Sequence, residues 1–168
     1  SVERRNLLKA FGANLVLTPG ATGMKGAIAK ALELNEANPN SFLPQQFENA
    51  SNPKVHKATT GPEVWNDTDG KVDIFVAGVG TGGTVSGVGA YLKEKNPNIK
   101  VWAIDTFGSL LKKYHETGIL DEKEAYAYIT EGIGEDFVPQ NYDMQYIDHF
   151  EKVSDKDGAV YARKLAKD

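Results

Sequence analysis

Five consecutive residues, Gly80-Thr81-Gly82-Gly83-Thr84, form the stretch of this chain best suited to chemistry. They follow a β-branched apolar run, "DIFVAGV", and lead directly into a helical pattern from Val85 to Lys95. A strand that ends in glycines and enters a helix gathers unpaired backbone N–H groups and the positive end of a helix dipole at one point, which favours a phosphate. Glycine permits close backbone approach and positive φ, while Thr81 and Thr84 add hydroxyl donors. A tight strand-to-helix turn with no ligand is the plain alternative.

The same residues admit a rival reading. Gly78, Gly80 and Gly83 satisfy G-x-G-x-x-G, and Asp105 ends the next apolar run, where a dinucleotide-binding domain would place its ribose-binding carboxylate. Such a crevice needs a further strand across the switch point, and the chain beyond Asp105 is poor in clean strand-helix units. A nucleoside-triphosphate loop is excluded, because no G-K-[ST] ending is present. Other reactive side chains offer less. His56, His115 and His149 are scattered, without metal-ligand spacing, and read as surface histidines. The pairs Asp67/Asp69 and Asp155/Asp157 stand at turns and helix starts, as caps and solvated charges do. Lys25, Lys54 and Lys57 read as solvated surface charges.

Composition narrows the classes further. Of 168 residues, 40% are apolar and 25% charged, which suits a globular, soluble chain of one domain or a domain plus part of another. The net charge of -4, from 19 basic and 23 acidic residues that are interspersed, lacks the footprint of a nucleic-acid binder. The absence of cysteine removes disulfides, thiolate metal sites and thiol nucleophiles. No apolar run approaches a membrane span, and "SVERRNLLKAFGA" is a charged amphipathic pattern rather than a signal peptide. A cytoplasmic location is the expectation.

The elements that must position the glycine loop alternate. Helices are expected over Val2 to Phe11, stopped by Gly12, and over Thr22 to Leu34, capped by Thr22, with a short strand from Asn14 to Thr18 between them. Asn52-Pro53 opens a third helix toward Trp65, and Lys100 to Asp105, "KVWAID", is a second buried strand. A helical stretch around Leu110 to Thr117, a loop "TEGIGEDFVP", a short strand near Met144 to Ile147 and a helix capped by Ser154 complete the chain. Alternating strands and helices specify a parallel sheet covered on both faces.

Three segments in matching order resemble the fold-type II pyridoxal-phosphate enzymes that include cysteine synthase and cystathionine β-synthase: "QQFENASNPKVHKATTGPEVW", "DIFVAGVGTGGTVSGVGAYLKEKNP" and "TEGIGEDFVP". The opening "ERRNLLKAFGANLVLTPGATGMKGAIAKA" is similar to that family's small-domain segment, so the resemblance covers nearly the whole chain. It implies an α/β fold with a three-layer parallel sheet of the tryptophan-synthase-β-like kind, incomplete here. Residues 1–46 would form the C-terminal part of the small domain and residues 47–168 most of the large, cofactor-binding domain.

By the same resemblance Gly80, Thr81, Gly82, Gly83 and Thr84 hold the phosphate of pyridoxal 5'-phosphate. Gly132 lies where the family's backbone approaches the cofactor, and Gln46 where a glutamine helps to bind the substrate carboxylate. Asp105 becomes the polar end of a core strand. The implied reaction of the parent is β-replacement: serine or O-acetylserine loses its β-substituent and a thiol, sulfide or homocysteine, adds. The parent is expected to be a homodimer acting on small amino acids and thiols, with no nucleic acid or membrane partner. "IDTFGS" and "EGIGEDF" resemble cystathionine β-synthases more closely, whereas "ERRNLLKAFGANLVLTPG" is equally at home in cysteine synthases. Glu135 departs from the tyrosine of the first and the small residue of the second. The family's Schiff-base lysine and substrate-gripping asparagine loop are expected before Ser1, and the serine that bonds the pyridine nitrogen after Asp168. No catalytic residue is therefore expected within the chain, which alone could also be a non-catalytic phosphate-binding module.

Overall fold

A computed structural model describes residues 1–167; Asp168, the end of the expected last helix, lies outside the described residues. The chain divides into two compact units, Ser1–Leu43 and Pro44–Asp168.

The first unit is helical. Helix α1 (Val2–Ala10) is capped by Ser1, whose hydroxyl accepts from the Arg4 N–H, and carries Glu3 in its first turn and Lys9 in its last, matching the helix dipole at both ends. Gly12 follows with φ +80°, a left-handed residue just past the helix end. Helix α2 (Gly23–Ala37) runs about one turn beyond the expected end at Leu34. Thr22 does not cap it: its hydroxyl donates to the Pro19 carbonyl at 2.7 Å, inside a 3-10 turn over Gly20–Thr22. The strand expected over residues 14–18 does not form, and Val16 and Leu17 are exposed. A strand exists only by pairing, and no ladder partner for this stretch stands among the described residues.

In the second unit the expected third helix is two. Helix α3 (Ser51–Ala58) stops one residue before α4 (Thr60–Asp67) begins, and Thr59 between them has φ −124° and ψ −71°. Pro62 is the reason, since its ring lacks an N–H for the carbonyl of Ala58 and crowds that same carbonyl.

Strand β1 (Ile74–Gly78), helix α5 (Gly83–Lys95) and strand β2 (Lys100–Thr106) form the strand-helix-strand unit expected around the glycine loop. The third strand, β3 (His149–Val153), falls beyond the expected residues 144–147, where a 3-10 turn over Met144–Tyr146 stands instead. Asp143 explains the turn: its carboxylate accepts from the Gln145 N–H at 3.3 Å and caps it. All three strands are parallel in the order β1-β2-β3, with Val76 opposite Trp102 and Ala103 opposite Phe150.

One sheet face carries the core: Val101, Ala103 and Phe150 are buried with Val79, Val85, Leu110 and Leu111. Val88 and Leu92 of α5 pack with Ile99, Trp65 and Phe75 in a second cluster, so α5 is buried between the sheet and the α4 side. Ile74, Val76 and Trp102 lie on the opposite face and remain partly exposed. Helix α6 (Leu111–Thr117) follows β2, and α7 (Asp155–Leu165) follows β3 with Ser154 as the expected cap, its hydroxyl accepting from the Asp157 N–H at 3.1 Å.

Candidate functional site

The glycine loop is entered through a doubly pinned residue. The Val79 N–H donates to the Ile104 carbonyl at 3.0 Å, and the Val79 carbonyl accepts from the Gly134 N–H at 2.7 Å. The end of β1 is thereby tied both to β2 and to the segment Thr130–Pro139. That segment is itself anchored by Asp155, whose carboxylate accepts from the Thr130 N–H at 2.8 Å and the Thr130 hydroxyl at 2.6 Å. Asp155 is thus more than the cap and solvated charge its position suggested.

Besides the positive φ expected of it, glycine is required in the loop by its protein neighbours. A Cβ on Gly80 would stand 2.5 Å from the Gly132 carbonyl oxygen, one on Gly82 2.7 Å from the Tyr142 Cα, and one on Gly83 would collide with the Asn52 side chain. Protein neighbours on three sides exclude larger residues here. Gly82 also has φ +82° and serves as the N-cap of α5 without any side-chain cap bond. Apart from the Gly83 N–H, which reaches the Thr81 hydroxyl at 3.4 Å, the first-turn backbone donors of α5 have no N-cap side chain on them, the arrangement an anion uses.

The two threonines are differently held. The Thr81 hydroxyl oxygen accepts from the Asn52 Nδ2 at 3.0 Å and from the Gly83 N–H at 3.4 Å. The Thr84 hydroxyl lies 3.2 Å from the His56 Nε2, and the His56 Nδ1 lies 2.9 Å from the Thr60 hydroxyl.

The structure brings Gln46 to this loop through its main chain. The Gln46 carbonyl accepts from the Asn52 Nδ2 at 3.0 Å and from the Asn141 Nδ2 at 2.8 Å, while its side chain is exposed. Gln45 before it has φ 44°, and Phe47 after it is buried edge-on against Phe137 with ring centroids 5.0 Å apart. Gly132, with φ +83° and open space around its Cα, sits with its carbonyl against Gly80. Gln46, Gly80 to Thr84 and Gly132 are therefore linked by direct contacts or single side-chain bridges.

Asp105 takes no part, which overturns the ribose-binding rival. It is 1% exposed, its Oδ2 accepts from the Lys112 N–H at 3.0 Å, and its Oδ1 has no partner. Burial raises its pKa, against the lowering effects of the neighbouring Ser109 side chain and the Lys112 N–H. Glu135 is also buried, and desolvation, followed by the Asp136 charge, pushes its carboxyl up to about 7. Its backbone is locked to Ser109: the Glu135 N–H donates to the Ser109 Oγ at 3.1 Å, and the Ser109 hydroxyl donates to the Glu135 carbonyl at 3.2 Å.

Two histidines are not the free surface groups that their spacing suggested. His56 is half-buried on Thr84 and Thr60, and His115 has its Nδ1 2.7 Å from the Tyr142 hydroxyl. His149 is exposed and pairs with Glu151 at 3.1 Å. Lys57 pairs with Glu94 at 2.5 Å, as a surface lysine does. Asn52 and Asn141 are the residues sequence reasoning missed. Asn52 stood inside a helix-start signal, and Asn141 is 95 residues from the carbonyl it holds, so no local pattern pointed to it. Among the described residues no group of three or more metal-ligating side chains gathers, and no helix is long and apolar enough to cross a membrane.

A family model described as pyridoxal-phosphate dependent enzyme matches residues 1–168. Cysteine synthase A of Escherichia coli (strain K12) is 47% identical over 169 residues, covering 98% of this chain and 51% of that protein. Cysteine synthase of Staphylococcus aureus (strain Mu50 / ATCC 700699) is likewise 47% identical, over 100% of this chain and 52% of that protein. Among solved structures, the O-acetylserine dependent cystathionine beta-synthase from Helicobacter pylori superposes with a TM-score of 0.87 at 40% identity, over 98% of this chain and 51% of that one. The chain spans about half the length of the curated relatives it matches.

Proposed function

Because the chain belongs to the pyridoxal-phosphate dependent enzyme family, we propose that it is the phosphate-holding and substrate-carboxylate-holding part of an enzyme that exchanges the β-substituent of serine or O-acetylserine for a thiol. The observation that carries this reading is the uncapped start of α5, with Thr81 beside it bridged through Asn52 to Gln46. The residues fit a phosphate: the start of α5 supplies backbone N–H groups and the positive end of a helix dipole, Thr81 and Thr84 flank it with hydroxyls, and the hydrogen bonds of those hydroxyls run to Asn52, Gly83 and His56 rather than to a carboxylate.

Gly80, Thr81, Gly82, Gly83 and Thr84 would hold the phosphate of pyridoxal 5'-phosphate, and Gly132 would bring backbone against the cofactor. Bound there, pyridoxal phosphate supplies an electron sink for the bonds broken at the amino acid's α- and β-carbons. Gln46, on a loop fixed by Phe47 and two asparagines, would orient the substrate carboxylate. The lysine that holds the cofactor aldehyde is expected outside these residues. Residues 1–46 would close the small domain and residues 47–168 build most of the large one. The relatives named above are cysteine synthases and an O-acetylserine dependent cystathionine beta-synthase, so sulfide and homocysteine are the thiols to test. We place the reaction in the cytoplasm, in a homodimer with no nucleic-acid or membrane partner.

The full-length protein, purified with pyridoxal phosphate, should show a visible chromophore that shifts on addition of serine or O-acetylserine. Mass spectrometry should then find cysteine with sulfide or cystathionine with homocysteine. A protein that binds no pyridoxal phosphate, or whose spectrum ignores both amino acids, would overturn the assignment.

A further inference from the structure

Asn52 is a single side chain placed between two functions. One Nδ2 hydrogen points at the Gln46 carbonyl and the other at the Thr81 hydroxyl oxygen, each with a donor-acceptor distance of 3.0 Å. It reaches both because it lies on the Cα of Gly83, where any Cβ would strike it. The Thr81 oxygen accepts a second time, from the Gly83 N–H. A hydroxyl has two acceptor positions and one hydrogen. With both acceptor positions taken from the protein side, the remaining Thr81 hydrogen is left to donate to a group outside this network.

The Gln46 carbonyl is likewise accounted for by two donors, Asn52 and Asn141, and of these Asn52 also hydrogen-bonds the Thr81 hydroxyl. The two asparagines thus share one carbonyl, and the Asn52 amide spends its second hydrogen on the glycine loop.

We infer that Asn52 is a positioning residue that couples cofactor-phosphate binding to substrate-carboxylate binding: it sets the Thr81 hydroxyl as a donor toward the phosphate and, with the same amide, fixes the Gln46 loop. This rests on the proposed roles of the glycine loop and Gln46. Filling the phosphate position orders Thr81, Thr81 orders the Asn52 amide, and the amide holds the Gln46 turn against the left-handed strain at Gln45.

The test uses the full-length protein and five variants: Asn52→Ala, Asn52→Leu, Thr81→Val, Asn141→Ala and the double variant Asn52→Ala with Thr81→Val. Two quantities are read for each, the dissociation constant of pyridoxal phosphate for the apoprotein and the KM of the amino-acid substrate beside kcat. Asn52→Ala should weaken cofactor binding about tenfold and raise the amino-acid KM by a similar factor, the loss of one hydrogen bond at each site. Thr81→Val should reproduce the cofactor loss, and combining it with Asn52→Ala should add little to that loss. Asn141→Ala should raise the KM and leave cofactor affinity within about twofold.

Asn52→Leu keeps the side chain's shape without its donors, so it gives the same reading should the alanine variant fail to fold. The coupling is overturned if Asn52 variants move only one of the two quantities, or neither, or if the Thr81 and Asn52 effects on cofactor affinity simply add. Wild-type protein that binds no pyridoxal phosphate sinks the functional reading itself. Wild-type binding with unaffected Asn52 variants sinks only this inference.

Discussion

The carbonyl oxygen of Gly132 stands 2.5 Å from the point where a Cβ on Gly80 would be built, so two loops separated by half a domain of sequence meet backbone to backbone. The contact makes glycine at position 80 a packing requirement. It also sets the distance between the helix end that would bind the phosphate and the backbone that would approach the cofactor ring.

Gly80→Ala should therefore force these loops apart, because neither partner is a side chain that can rotate away. A loss of about 1–3 kcal/mol in stability is expected, together with weaker pyridoxal-phosphate binding. Chemical denaturation and cofactor titration of the full-length protein check both; an alanine variant with unchanged affinity would show that the loop is held elsewhere.

Glu135 should make the stability of the fold depend on pH. Burial, with the Asp136 charge second, raises its carboxyl from an ordinary 4.5 to about 7. A pKa raised on folding means that the protonated form is favoured in the native state. The stability it contributes is complete below about pH 4.5 and is lost as the pH climbs through about 7. Glu135→Gln carries no charge at any pH. Its melting temperature should gain on wild type between about pH 5 and about pH 8. Parallel melting curves for the two proteins would refute it.

Asp148 should show the opposite sign. Burial works against its charge, but the Lys93 ammonium at 2.7 Å and the Val101 N–H at 2.8 Å hold the carboxylate below its ordinary range. A lowered pKa adds stability above the unfolded value and gives it up as the pH falls through the folded one. Asp148→Ala should cost about 1–3 kcal/mol at neutral pH, and the deficit should shrink on acidification. Urea denaturation at neutral and acid pH measures both numbers.

Tyr142 joins α6 to the glycine loop, with its hydroxyl 2.7 Å from the His115 Nδ1 and its backbone against Gly82. Burial lowers the His115 pKa, so the neutral imidazole is the native form and acid should weaken this contact. Tyr142→Phe removes the hydroxyl and keeps the ring and backbone. A loss of about 1 kcal/mol is expected, with cofactor affinity nearly unchanged. A large fall in affinity would mean that the hydroxyl, rather than the backbone, supports Gly82.

Much of the fold was legible because its signals are local. The apolar run before the glycines, the helical pattern from Val85, which in the structure starts two residues earlier at Gly83, and the strand from Lys100 follow from β-branched residues, glycine punctuation and spacing. Errors arose where a local preference met a competing partner. The Met144 stretch looks like a strand until Asp143 caps it as a turn, and the third helix looks continuous until Pro62 is set against Ala58. The stretch Asn14 to Thr18 has strand composition, but a strand is a relationship between segments and composition cannot supply the second one.

The glycine loop at a helix start was legible in the chain, because it needs only a strand, glycines and a helix in order, and all three are contiguous. What surrounds that loop depends on contacts made across the fold. That Asp105 is sealed in the core, that glycine at 80, 82 and 83 answers to Gly132, Tyr142 and Asn52, and that one asparagine bridges Thr81 and Gln46 are contacts between residues distant in the chain. Hydrophobic periodicity reports which face of an element turns inward, and it carries no record of which other element comes to meet it.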